Sequence, residues 1–443
     1  MLDDLGNQHA AEALYRAVLA VDPDRTVAVD TTYIDAAYNL ALLLHGKNAA
    51  FDDPLKGAGR EAATLYQAVV RADPSRWDAW ANLGAAAAEL KNVPLLATRS
   101  YQRAIVELER RHAKSDDEPD DDEIDYIAKL YYGLGMQLWS LTAEQCATFA
   151  AEPDSLLMGG TDGEGASDGT SAAVCLENAQ NALRTTLQLD PSHAQAEHML
   201  AAMAANAGKD GAVGVNKASA AFVKALFDDF SDTFDSQLAS LDYQVPRLLG
   251  DTVGRLVHAA RAGRPFATAL DAGCGTGLAG PYLRPLVSGW MAGVDLSPKM
   301  LERARGLTTP AGAAVYDALL DRDLLQLRRT DVLPPADVAT GVELVTAADV
   351  LVYFGDLREL MEAFAALTSP SAVLVFSCER ATSEEAPDGW RLRASGRFAH
   401  TKAYVLDEAA RAGGFSLVSY EEIVPRTEYG KPVQGHLFAL ARG

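Results

Sequence analysis

Three short segments constrain the fold most: Phe266-Ala-Thr-Ala-Leu-Asp271, Ala272-Gly-Cys-Gly-Thr-Gly277 and Met291-Ala-Gly-Val-Asp295. An apolar strand runs into a turn with glycines at 273, 275 and 277. A helix is expected from Leu278 to about Leu286, and then a second strand that ends in an acid. Another helix spans Pro298 to Arg305. Strand, glycine turn, helix, strand and acid in that order open a doubly wound α/β domain. Ligands of such sheets sit at the carboxyl ends of the strands.

The glycine spacing narrows the ligand. The dinucleotide fingerprint GxGxxG sets a pyrophosphate on the helix N-terminus. Here the glycines alternate, and Asp271 stands just before them. A carboxylate there repels a pyrophosphate and suits a cationic ligand. Asp295 ends the second strand, where it can accept hydrogen bonds from both hydroxyls of a ribose. The run Ala318 to Leu324 offers a third strand with Asp321 and Asp323, either site acids or solvated loop acids. A fourth strand is expected over Leu344 to Val352, with Asp349 in mid-run. A buried acid there needs a partner or a place in the site. Tyr353 follows, either as a site residue or as a core aromatic. Ala372 to Glu379 reads as a fifth strand, and Phe415–Tyr420 with His436–Arg442 reads as a closing hairpin.

From about Val223 to Arg442, this pattern resembles the seven-stranded, Rossmann-like S-adenosylmethionine-dependent methyltransferases. The resemblance implies S-adenosylmethionine as cofactor. It implies that Asp271, Gly273, Gly275 and Gly277 line the methionine end. Asp295 would hold the ribose, Leu296 would flank the adenine, and Asp323 with Leu324 would meet the adenine edge. Asp349 joins this cofactor set, and Tyr353 stands where acceptor and cofactor meet.

The N-terminal half has a different period. Apolar helices end at or near Asp-Pro in LYRAVLAVDP (to Pro23), LYQAVVRADP (to Pro74) and LRTTLQLDP (to Pro191). Trp80, Leu83 and Gly84 form a W-x-x-L-G pattern after Pro74, and Ala97, Tyr101 and Ala104 form a small-large-small stripe. Tyr131, Leu134, Gly135 and Leu138 repeat the first-helix pattern. Small residues let paired helices approach, large ones fill the gap, and proline ends the second helix. Residues 1–208 resemble tetratricopeptide repeats, which implies a protein partner. Asp3-Asp-Leu-Gly reads as the end of a first helix, so the chain begins mid-repeat. The acidic run 115–123 and the Gly-rich run 159–170 read as inserted loops.

The whole is thus expected to be an all-α repeat array (1–208), a linker and helical lid (209–250), and a Rossmann-like α/β domain (251–443). The closer resemblance is to methyltransferases that carry tetratricopeptide repeats at the N-terminus. It rests on Ala225–Asp235 with Leu241–Pro246, on Ala348–Leu357, and on Ser395–Tyr404 with Gly430–Gly435. The function expected is methyl transfer to a small-molecule or protein acceptor, with the repeats recruiting substrate or partner. The alternative is a non-catalytic repeat scaffold whose α/β domain senses the cofactor.

Charge bears on partners. Residues 1–210 hold 16 basic and 33 acidic side chains, whereas 211–443 hold 23 and 28. Such acidity has no long-range attraction for nucleic acid or anionic lipid, so neither is an expected partner. The four cysteines (146, 175, 274 and 378) have no CxxC spacing, so neither a zinc site nor a disulfide framework is expected. The expected compartment is the cytoplasm.

Methyl transfer from a sulfonium mainly needs a positioned nucleophile and excluded water. Phe227, Phe230, Phe234 and Tyr243 lie in a helical segment before the first strand. They are expected to form a lid that faces a sulfonium, or to dock that lid on the sheet. His400 lies near Arg397 and Tyr404, in the loop expected before the last helix. It is a candidate base or a structural residue, Arg397 is a candidate carboxylate clamp, and Tyr404 completes the catalytic candidates. No GxSxG elbow between a strand and a helix, no P-loop and no HExxH occurs, so hydrolase, NTPase and zincin readings lack support. The histidines have no metal-ligand spacing.

Overall fold

The computed structural model describes residues 2–20, 31–50, 57–90, 92–114, 119–151, 170–206, 215–428 and 430–443. Pro23, residues 115–118, the Gly-rich run 159–169 and the boundary expected at 208 lie outside the described residues. The chain divides into two compact units, Met1–Leu200 and Ala201–Gly443.

The first unit is helical. Its described helices are α1 (Leu2–Ala20), α2 (Thr31–Ala50), α3 (Ala58–Ala72), α4 (Trp77–Glu89), α5 (Pro94–His112), α6 (Asp121–Ser140), α7 (Ala143–Ala150) and α8 (Thr170–Leu189). Helix α9 (Ala194–Asn206) crosses the unit boundary. Successive helices from α1 to α6 pack on one another, and α8 packs on α6 and α7. The stripe of alternating residue sizes explains how. A Cβ at Gly84 of α4 would stand 3.0 Å from the Tyr101 ring, and one at Gly133 of α6 only 2.7 Å from it. Two glycines therefore let α4 and α6 close on an aromatic of α5. Helices α3 and α8 end in the same turn. Asp73 Oδ1 accepts from the Ser75 N–H (3.1 Å) and hydroxyl (2.6 Å), and Asp190 Oδ1 accepts from those of Ser192 (2.9 and 2.7 Å). Pro74 and Pro191 sit inside these turns, where neither helix can continue.

Two expectations are corrected in this unit. The end of the acidic run is not loop. Asp120 caps α6 by accepting from the Glu123 N–H at 2.8 Å, and Asp121, Asp122 and Glu123 form its first turn. Acids are favoured there by the helix dipole. Cys146 of α7 and Cys175 of α8 form a disulfide, with Cα atoms 6.1 Å apart. Helix packing brings together two cysteines that sequence spacing leaves unrelated.

The second unit starts with helices α10 (Ala220–Phe230), α11 (Phe234–Ser240) and α12 (Val245–Ala260). The strands are β1 (Phe266–Ala272), β2 (Val287–Asp295), β3 (Ala318–Asp321), β4 (Val342–Ala347), β5 (Thr368–Arg380), β6 (Trp390–Leu392), β7 (Phe398–His400), β8 (Phe415–Ile423), β9 (Thr427–Glu428), β10 (Lys431–Pro432) and β11 (Gly435–Arg442). Between them run α13 (Gly280–Leu283), α14 (Pro298–Arg305), α15 (Arg329–Val332), α16 (Arg358–Leu367) and α17 (Lys402–Gly413). The main sheet has the order β3-β2-β1-β4-β5-β11-β8. Strands β1 to β5 pair in parallel, and β11 lies antiparallel between β5 and β8.

Alternation along the strands builds a core on each face. Leu270, Ala292, Val294 and Val345 join Phe364 of α16 and Val405 of α17. Their neighbours Ala269, Met291 and Leu344 join Leu249 of α12 and Leu301 of α14. Burial on both faces is why these strands read as continuous apolar runs. The order reverses between β1 and β4, and this is the switch point at which such sheets open a crevice. Among the described residues, no helix is long and apolar enough to cross a membrane.

Candidate functional site

The crevice at the switch point is a real pocket, covered by α10 and α11. Its floor is the glycine loop. Gly273 and Gly275 have φ of +67° and +55°, a conformation that costs other residues about 1–2 kcal/mol. A Cβ at Gly273 would lie 2.4 Å from Val350 Cγ2, whereas one at Gly275 would meet only Phe234, at 3.8 Å. The Gly275 backbone is therefore bare toward the pocket and can be approached closely by a ligand.

Two acids flank the loop. Asp271 is buried and lines the pocket. Its Oδ2 accepts from the Tyr316 hydroxyl at 2.7 Å and its Oδ1 from the Thr346 hydroxyl at 3.0 Å. Burial, with nearby Asp295, pushes its carboxyl up to about 6, against the pull of these two hydroxyls. Asp295 accepts from the Gly275 N–H at 2.8 Å and the Ser297 N–H at 2.9 Å. Burial raises it as well, against those amides. Asp323 caps the turn Leu324–Gln326 through the Leu325 N–H (2.9 Å) and lines the pocket beside Leu296 and Leu324. Asp321 is exposed at the end of β3 and does not line it.

The fourth strand stops at Ala347, earlier than expected. Asp349 lies in the turn beyond it at φ +53°, a sparsely populated conformation for a residue with a side chain. Its N–H donates to Ser377 Oγ (2.9 Å), that hydroxyl donates to Oδ1 (2.7 Å), and Arg426 donates to Oδ2 (3.2 Å). The turn carries Asp349 and Tyr353 onto the pocket wall with Tyr243 and Arg397.

The lid is tied to the body by carboxylates. Asp228 accepts from the Ser297 hydroxyl (2.5 Å) and Asp235 from the Thr276 hydroxyl (2.6 Å). Phe227 meets Phe234 and Tyr353 edge-on, with ring centroids 5.8 and 5.7 Å away. Residues 216–218 form a strap across the same wall. The Ala218 N–H donates to the Tyr353 carbonyl (2.8 Å), and the Gly355 N–H donates to the Asn216 carbonyl (2.7 Å).

Four expected site residues fall outside this pocket. Phe230 is 40% exposed, because α10 turns it outward. Gly277 (φ +86°) packs behind the loop, where a Cβ would lie 2.6 Å from Leu307. His400 sits in β7, fully buried, with Nε2 3.2 Å from the Gly355 carbonyl. Burial lowers its imidazole to about 4, so it is neutral at pH 7 and has no path to a substrate proton. Tyr404 stacks on His400, and its hydroxyl accepts from the Leu357 N–H at 3.0 Å.

These histidines bear on acid stability. His436, whose Nε2 faces the His400 carbonyl (3.2 Å), is also lowered to about 4, first by burial. Both fall below the unfolded value, so their contribution is complete above about pH 6.5 and is lost as pH falls toward 4. Each loss reaches about 3 kcal/mol. Asp271, which is raised, opposes this by about 3 kcal/mol over a similar range. From these three groups, stability should drop by about 3 kcal/mol between about pH 7 and about pH 4. Urea unfolding at the two pH values checks this, and an unchanged midpoint contradicts it.

Tyr316, Thr346 and Arg426 belong to the site although their sequence positions do not single them out. Thr346 lies opposite Asp271 in the β1–β4 register, so only the strand pairing reveals it.

Residues 241–420 match the family model described as a methyltransferase domain. This segment is similar to a methyltransferase domain. No curated protein sequence matches the chain. Among solved structures, similarity extends to magnesium protoporphyrin IX methyltransferase from Synechocystis, at 19% identity over 45% of this chain and 83% of that one (TM-score 0.34). An S-adenosylmethionine-dependent methyltransferase from Mesorhizobium loti is 23% identical over 42% and 97% (TM-score 0.31). The 1,6-didemethyltoxoflavin-N1-methyltransferase of Burkholderia thailandensis is 17% identical over 49% and 87% (TM-score 0.35). The pocket is assembled from the strand ends, the strap and the lid of one unit.

Proposed function

We propose that the second unit transfers a methyl group from S-adenosylmethionine to an acceptor held between the lid and the turn after β4. One observation carries this reading: Asp271, the bare Gly275 backbone, Asp295 and Asp323 all face one pocket at the switch point. The residues fit this cofactor. Asp271 offers a carboxylate to an ammonium, and Asp295 keeps lone pairs for ribose hydroxyls beyond the two amides it serves. Asp323 and Leu296 suit a polar edge and an apolar face of a base. When bound, S-adenosylmethionine supplies an activated methyl. The chain's own task is then to hold the acceptor in line and exclude water. Phe227, Phe234 and Tyr353 close the pocket, and the strap fixes the Tyr353 backbone.

The raised carboxyl of Asp271 gives the test. A cation binds the ionised form, so affinity for S-adenosylhomocysteine, which keeps the ammonium, should rise about fivefold between about pH 5 and about pH 6 and level off by about pH 7. Calorimetry across this range checks it. A flat profile contradicts the assignment of Asp271.

The helical unit is read as a tetratricopeptide-type array that recruits a protein partner or substrate. The Gly84–Tyr101–Gly133 interlock and the paired Asp-Pro-Ser turns support that reading.

A further inference from the structure

The strand order gathers three of the pocket's carboxylates on one side, with Arg322 beside them. Asp271, Asp295 and Asp323 come from the ends of β1, β2 and β3. On the other side of the switch point, the wall carries Arg397, just before β7, and Arg426, between β8 and β9. Strand β7 pairs with β5, so the guanidinium groups belong to the β5 side of the sheet.

The two arginines are not equivalent. Arg426 is 3% exposed and spends all three nitrogens on carboxylates: Nε on Glu428 (2.7 Å), Nη1 on Asp349 (3.2 Å) and Nη2 on Glu379. Arg397 is 31% exposed and hydrogen-bonds to a carboxylate through Nη1 alone, on Glu428 at 2.7 Å. The Tyr353 phenol also faces it. Glu379 and Glu428 stand behind the wall and do not line the pocket. The wall therefore shows the pocket two guanidinium groups, the Asp349 carboxylate and the Lys217 ammonium, which Glu359 holds at 2.7 Å, and of the two guanidinium groups Arg397 has donors to spare. Val223 and Phe227 of α10 and Leu238 of α11 make the facing surface apolar.

We propose that the methyl acceptor is a carboxylic acid with an apolar body, its carboxylate seated on the Arg397 guanidinium. This rests on the methyltransferase reading and names the acceptor class. Arg426 is a positioning residue, which fixes Asp349 and shares Glu428 with Arg397. A planar carboxylate matches the unused side of the guanidinium fork. A phosphate dianion would bring a second charge into a largely apolar pocket.

The test titrates matched acid and amide pairs into protein saturated with S-adenosylhomocysteine. The probes are phenylacetate with phenylacetamide, 3-phenylpropanoate with its amide, and octanoate with octanamide. The acids should bind about tenfold tighter or better, the worth of one charge-assisted hydrogen bond. Arg397→Gln should erase this preference and keep wild-type affinity for S-adenosylhomocysteine. Arg397→Lys, which keeps the charge toward Glu428, should retain part of it and serves as the folded control.

Three results overturn the proposal. The acids bind no better than their amides, the preference survives Arg397→Gln, or Arg397→Gln weakens S-adenosylhomocysteine by the same factor, which gives the guanidinium to the cofactor. If S-adenosylhomocysteine itself fails to bind wild type, the cofactor reading fails, and the acid–amide comparison in the free protein still decides this one.

Discussion

Asp295→Ala should lower affinity for S-adenosylhomocysteine by roughly a hundredfold to ten-thousandfold. On the proposed reading the carboxylate offers two charge-assisted hydrogen bonds to the ribose, each worth about 1.5–3 kcal/mol, and every 1.4 kcal/mol or so is a factor of ten. The variant also strips an acceptor from the amides of Gly275 and Ser297. Buried donors left unpaired cost about 1–3 kcal/mol each, so the free protein should unfold at a lower urea concentration as well. The two effects separate in Asp295→Asn. Its amide oxygen still serves one backbone N–H, so more stability returns, but the charge is gone and affinity stays low. Calorimetry and urea unfolding on both variants read the two quantities independently. An Asp295→Ala protein that binds like wild type would remove Asp295 from the cofactor site.

The second large effect falls on the loop itself. Gly273→Ala should destabilise the free protein by about 2–5 kcal/mol. About 1–2 kcal/mol comes from a side chain at φ +67°. About 1–3 kcal/mol more comes from the new methyl, placed 2.4 Å from Val350 Cγ2. The two causes can be told apart. Val350→Ala removes the obstructing methyl groups, so the double variant should regain most of the clash and none of the backbone cost. A double-mutant cycle should return a favourable coupling of about 1–3 kcal/mol. Zero coupling would mean that the loop relaxes away from Val350, and a Gly273→Ala protein as stable as wild type would contradict the loop geometry outright.

What the sequence makes legible follows physical locality. The glycine turn, Asp271 and Asp295 lie in one continuous segment, and each owes its place to a strand end or a tight turn, features with strong local signatures. Asp349 shows where locality ends. The apolar run suggests a strand through Val352, yet the chain turns at Ala347, because Ser377 of the neighbouring β5 takes both the N–H and a carboxylate oxygen of Asp349. His400 shows the same limit. Next to Arg397 and Tyr404 in sequence, it reads as a base. Strand alternation sends it inward under Tyr404, while Arg397 reaches the pocket. The Cys146–Cys175 bridge and the pairing of Thr346 with Asp271 depend on packing and register, which spacing alone does not carry. In the helical unit, the small-large stripe around Tyr101 is local and readable, and the acidic run hides the start of α6 because its charge is equally at home in a loop and in a first helical turn.

The central claim is that this pocket takes S-adenosylmethionine. Calorimetric titration of the whole wild-type chain with S-adenosylmethionine, S-adenosylhomocysteine and NAD tests it most directly. The account predicts saturable binding of the first two at one site per chain and none of NAD, whose pyrophosphate Asp271 repels. Folded protein that ignores both sulfur nucleosides, or that prefers NAD, would contradict it.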